Sequence, residues 1–155
     1  MFYLDSSALV KRYIRERGSR RLQARLASGD RLFTSALSFA EVLAALGRVY
    51  RERRLSERQF KRLRERFLSD WIFSLNILAL DSSTMIAIPN LIAQYPLKAA
   101  DAVHLAAEIW LRDKTSLDRE FAANDASLHF VVSDKALANA AKKVGIAVFN
   151  PEAEP

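Results

Sequence analysis

Short runs of β-forming residues alternate along this chain with longer stretches of helical spacing, and few folds accept such an alternation except an α/β domain on a mostly parallel sheet. The first run is Phe2-Tyr3-Leu4, ended by Asp5. Ser6 or Ser7 can then cap a helix whose apolar positions Ala8, Leu9, Tyr13 and Ile14 return about every turn. A basic helical stretch from Arg20 to Leu26 and a turn at Gly29-Asp30 lead to a second strand, Leu32 to Thr34.

Ser38 opens the next helix, with Phe39, Val42, Leu43, Leu46 and Val49 as its buried stripe and fraying expected among Arg51, Arg53 and Arg54. Ser56 followed by Gln59 is a capping-box pattern for a helix carrying Phe60, Leu63 and Phe67 inward. The spacing predicts a third strand at Ile77 to Leu80, then a helical segment that Pro89 must begin or kink, because proline lacks the amide an interior turn needs. Leu97 to Leu111 reads as a buried helix and Asp113 to Ser127 as an irregular connection. Phe130 to Val132 is a strand, Lys135 to Lys143 a helix stopped near Gly145, and Ile146 to Val148 a last short strand.

Length and composition fit one domain over residues 1–150 with a short tail at 151–155. With no cysteine there is no disulfide framework, thiolate metal site or thiol nucleophile, and the expected compartment is the cytoplasm. No stretch is long and uncharged enough to span a bilayer, so no membrane association is expected. The net charge of +6 would draw a polyanion or an acidic protein partner, and equally serves plain solubility.

The informative acids fall at element ends. In an open parallel sheet ligands bind outside the carboxyl ends of the strands, where Asp5 and Asp134 both lie. Glu41 and Asp101 sit in the first turns of two largely apolar helices. If those helix starts border the same strand ends, four carboxylates share a cleft and raise one another's pKa unless a cation joins them. Mg²⁺ prefers carboxylate and water oxygens and leaves positions for phosphate oxygens, so phosphodiester hydrolysis by metal-activated water is the chemistry such a cluster suits. Each acid has a structural alternative: Asp5 and Asp134 as N-caps, Glu41 in a capping box with Ser38, Asp101 stabilising a helix start or pairing with Lys98.

Four segments resemble the PIN domain and, within it, the VapC toxins of toxin–antitoxin pairs: Tyr3-Leu4-Asp5-Ser6-Ser7-Ala8-Leu9-Val10-Lys11; Thr34-Ser35 through Ser38 to Glu41-Val42; Leu97-Lys98-Ala99-Ala100-Asp101-Ala102-Val103-His104-Leu105-Ala106, the most specific; and Phe130-Val131-Val132-Ser133-Asp134-Lys135-Ala136-Leu137, followed by Ala140-Ala141 and Gly145-Ile146. The resemblance runs in order from residue 1 to about residue 150. It implies a Rossmann-like three-layer α/β/α fold, Mg²⁺- or Mn²⁺-dependent cleavage of RNA, a homodimer and a VapB-type antitoxin. It makes Asp5 and Asp101 the principal metal ligands, with Glu41 and Asp134 completing the pocket and Ser7 and Ser133 orienting carboxylates. Relatives often carry a further acid after the last one; here Lys135, Ala136 and Leu137 follow, which leaves a second ion open.

Other features are weaker. His104 reads as a satisfied, partly buried histidine, and His129 is too remote to pair with it. Asp118 and Asp125 read as solvated surface acids, and Trp71 and Trp110 as core or dimer contacts. Arg48, Arg51, Arg53, Arg54, Arg58, Lys61, Arg62, Arg64 and Arg66 concentrate positive charge that would guide RNA, face an acidic antitoxin segment, or simply be solvated. A receiver domain or a haloacid-dehalogenase-like phosphatase fits worse, since the first wants a paired acid after strand one and the second an Asp where Ser7 stands. The stronger rival is a catalytically silent PIN fold that binds RNA or protein.

Overall fold

The computed structural model describes residues 1–26, 29–117 and 127–153. Five strands, β1 (Phe2–Leu4), β2 (Leu32–Ser35), β3 (Leu75–Leu78), β4 (His129–Val131) and β5 (Val148–Phe149), form one sheet. Their order is β3-β2-β1-β4-β5 and every pairing is parallel. β1 is therefore the centre, and the chain reverses its direction of winding between β1 and β4, the position at which such sheets open a ligand crevice.

The helices are α1 (Ser6–Val10), α2 (Ser19–Arg25), α3 (Ser38–Arg51), α4 (Glu57–Phe73), α5 (Ser82–Met85), α6 (Ile88–Gln94), α7 (Ala99–Leu117) and α8 (Lys135–Lys143). Side chains alternate across a strand, and the two faces of β1 separate accordingly. Phe2 and Leu4 enter one core with Leu9, Leu22, Leu46 and Phe67 of α1 to α4. Tyr3 enters the other with Leu91, Leu105, Leu137 and Ala141 of α6, α7 and α8. This is the expected three-layer α/β/α arrangement.

Several local expectations are corrected. The first helix stops at Val10, and Asp5 rather than a serine is its cap, accepting from the Ala8 amide at 2.7 Å. Tyr13 and Ile14 are still buried, but in the turns that follow. Phe39 is partly exposed, its ring tilted against Phe67 and edge-on to Trp71 instead of fully buried in the core. The third strand is two residues earlier than predicted, because Leu75 and Leu78 are the positions that reach the core.

Pro89 begins a helix rather than kinking one, standing in the first turn of α6. α7 continues past Leu111 to Leu117, so the connection predicted from Asp113 is helical at its start. The rest of that segment, with Asp118 and Asp125, lies outside the described residues. The last strand is Val148–Phe149, after Ile146 has turned into the core. The Ser56–Gln59 capping box forms as expected. Among the described residues no helix is long and apolar enough to cross a membrane.

Candidate functional site

The carboxyl ends of β1 and β4 are tied together by the Asp5 amide, which donates to the Val131 carbonyl at 3.2 Å. Asp5 is buried at that junction with only 4% of its surface exposed. Its carboxylate accepts from Ser7 through both oxygens, at 3.0 and 2.8 Å, and from Ala8 N–H. Even so, burial raises the Asp5 pKa to about 6, outweighing His104 and the hydrogen bonds from Ala8 and Ser7, with a smaller push in the same direction from Asp101.

Asp101 stands in the first turn of α7. Burial and the neighbouring Asp134 raise its pKa, against a backbone hydrogen bond and the charge of Lys98. Asp134 caps α8, accepting from Leu137 N–H at 2.9 Å. Asp101 therefore interacts electrostatically with both Asp5 and Asp134 at the switch point, and among the described residues no lysine or arginine forms an ion pair with any of the three.

Glu41 belongs to a different arrangement. The capping box anticipated with Ser38 does not form: the N-cap of α3 is Leu37, which makes no side-chain cap, and the Ser38 hydroxyl turns to Thr34 at 2.7 Å and to Ser6 at 3.0 Å. The Glu41 carboxylate instead accepts from Ser6 at 2.5 Å and faces His104 Nε2 at 3.1 Å. A carboxylate only accepts, so Nε2 carries hydrogen, while the Tyr3 hydroxyl faces Nδ1 at 3.1 Å. The His104 bond, then the Ser6 bond, holds the Glu41 pKa below its ordinary value despite partial burial.

His104 is fully buried rather than partly so. The chain Thr34–Ser38–Ser6–His104–Tyr3 is the part of the site that motif reasoning did not find. Its one legible signal was position: His104 follows Asp101 by three residues, which puts both on one side of a helix. Ser133 departs from its expected role. Its hydroxyl makes no hydrogen bond of good geometry, and the carboxylate it influences is Glu152 of the C-terminal segment, not an acid of the cleft.

Because the folded-state pKa of Asp5 is raised, its contribution to stability is full below the ordinary 3.8 and is lost as pH rises through about 6. That interval corresponds to roughly 3 kcal/mol. Asp5→Asn keeps an acceptor for the Ala8 amide and should remove this part of the pH dependence, so that its metal-free form melts higher than the parent at pH 7.5. Thermal melts of both proteins from pH 4 to 7.5 check it; parallel curves would show that the Asp5 charge carries no cost.

Among known proteins, the sequence profile of the family described as PIN domain matches residues 2–126. Similar solved structures include FitAcB from Neisseria gonorrhoeae, at 19% identity over 97% of this chain and 98% of that one, with a TM-score of 0.67. VapBC2 from Rickettsia felis, bound to a DNA fragment from their promoter, is 12% identical over 97% and 98% of the two chains at TM-score 0.60. A toxin–antitoxin complex from Klebsiella pneumoniae is 20% identical over the same shares at TM-score 0.58. No curated protein gives a significant match.

Proposed function

The chain belongs to the PIN domain family, and from that premise we propose that it is a VapC-type toxin that cleaves RNA with Mg²⁺ or Mn²⁺. The observation that carries this reading is the unneutralised acid set at the switch point: Asp5 and Asp101 are each pushed toward the protonated form by burial and by another carboxylate. A cation between them would relieve that cost.

The donor set fits a hard divalent ion, since it is all oxygen and the chain contains no cysteine. Among the described residues no three acidic or histidine side chains converge closely enough to enclose an ion. Mg²⁺ commonly binds through one or two carboxylates and keeps the rest of its shell for water and phosphate oxygens. Asp5 and Asp101 would hold it, with Asp134 at the border. The ion would supply Lewis acidity, activating water and offsetting charge on the phosphate.

The protein's own contribution is positional. Ser7 and the Ala8 amide fix both oxygens of Asp5. Ser6 and His104 favour the ionised form of Glu41, which would accept a proton from an attacking water or orient it. The antitoxin part of the reading is supported by the toxin–antitoxin complexes among the similar structures. Exposed apolar residues at the end of α4, Ile72 and Phe73, and at α5 and α6, Met85, Ile86 and Ile92, offer surface for an antitoxin or a second copy in a homodimer.

Incubating purified protein with a mixed RNA pool should give cleavage with Mg²⁺ or Mn²⁺ and none with EDTA. No cutting with any divalent metal, while RNA is still bound, would favour the silent binding module.

A further inference from the structure

We propose that Arg48 and Arg51 form a phosphate subsite that grips the RNA strand beyond the phosphodiester being cut. This rests on the nuclease reading above and adds where the strand runs. A groove of about 490 Å³ begins at Ser7 and Glu41 and ends at Arg48 and Arg51, with Ala44 and Ala45 along its wall. Glu41, the pair Ala44 and Ala45, Arg48 and Arg51 follow one another at three- or four-residue spacings, so one side of α3 carries the whole track. Arg48 lies seven residues from Glu41, about 10 Å along the helix. That is too far for the scissile phosphate and suited to a neighbouring one.

Charge in the groove favours this occupant. Both guanidinium-bearing residues are exposed and, among the described residues, have no carboxylate within ion-pair distance, whereas Arg12, Arg54 and Arg112 are paired with Asp70, Glu52 and Asp113. Glu16 also lines the groove, but its carboxylate is bonded to Lys11 Nζ at 2.7 Å and offers little free negative charge. Of the nine basic residues between positions 48 and 66, these two alone line the groove that Glu41 and Ser7 also line. The small side chains between the ends leave room for a ribose and base. An acidic peptide is the other partner two arginines would attract, but the groove would lead it onto the Glu41 carboxylate. An RNA strand brings a phosphate there in any case, with a cation between.

The test measures binding of a labelled single-stranded RNA octamer in EDTA by anisotropy across a salt series. Each phosphate contact on a single strand contributes about 0.7 to the slope of log K against log salt. Arg48→Ala/Arg51→Ala should therefore flatten the slope by about 1.4. Arg48→Lys/Arg51→Lys should keep most of it, and a control pair on α4, Arg58→Ala/Arg62→Ala, should lose less. In cleavage assays the alanine pair should raise KM for the octamer about tenfold or more, as loss of charge-assisted hydrogen bonds implies, with kcat retained and a dinucleotide cut as well as by the parent.

An unchanged slope and KM would overturn the subsite. So would an unchanged slope accompanied by weaker binding of an acidic peptide or antitoxin, which would give this face to a protein partner. A parent that cuts no RNA under any metal, with the slope loss intact, would defeat the nuclease reading and still support the arginine subsite.

Discussion

Asp101→Asn should lower kcat for RNA cleavage by more than about a hundredfold while the metal-free protein melts no lower than the parent. The lower bound comes from comparison: groups that merely orient a metal ligand are worth about 10- to 100-fold when removed, and a carboxylate that itself holds the ion should be worth more. The stability half follows from the site's electrostatics. Burial and Asp134 both oppose ionisation of Asp101, so at neutral pH its charge is a cost that asparagine does not incur. The amide retains an oxygen that can accept from the Lys98 backbone, the contact that supports the ionised acid.

Initial rates with Mn²⁺ and a thermal melt in EDTA check both halves. A variant that loses activity and melting temperature together would assign Asp101 to holding the start of α7, the structural role that sequence alone left open. An active variant would remove Asp101 from the chemistry.

The strand order could not be read from the chain, but its consequence at one position could. Asp5 directly follows an apolar β-run and Asp134 follows a second such run after one serine, and the sheet then places β1 beside β4, which brings the two acids to one edge. The α/β class was legible for the same reason, because the period of apolar residues changes from two to about 3.6 and back. Boundaries were less legible where burial outweighed local pattern. Leu75 starts β3 because it reaches the core, although nothing before it resembles a strand start.

Glu41 shows a different limit. Ser38 and Glu41 have the spacing of a capping box, yet Ser38 is drawn into a buried hydroxyl chain by Thr34 of the preceding strand and Ser6 of α1. Those partners lie 4 and 32 residues away, so the choice between cap and network is made by tertiary packing. The same holds for His104, whose partners Tyr3 and Ser6 are about a hundred residues distant.

One buried acid was not singled out by sequence and is not used by the proposed chemistry. Glu108 lies on α7, 1% exposed, with one carboxyl oxygen lacking any hydrogen-bond partner. Burial raises its pKa to about 8; Arg112 works against the shift and Asp113 with it. Arg112 does not neutralise it, since that guanidinium is bound to Asp113 and to the Val144 carbonyl. A raised folded-state pKa gives stability that is full below the ordinary 4.5 and declines until pH passes about 8. Across that window the loss is at most roughly 5 kcal/mol.

Replacing Glu108 with leucine or methionine, which fill a similar space without a polar atom, should therefore stabilise the protein little at pH 4.5 and by several kcal/mol at pH 8.5. Denaturant unfolding of parent and variant at both pH values isolates the effect, because every other titrating group is common to the two. A difference that does not grow with pH would mean that Glu108 ionises freely in the fold. One that reverses sign would mean that its carboxylate is held by Arg112 after all.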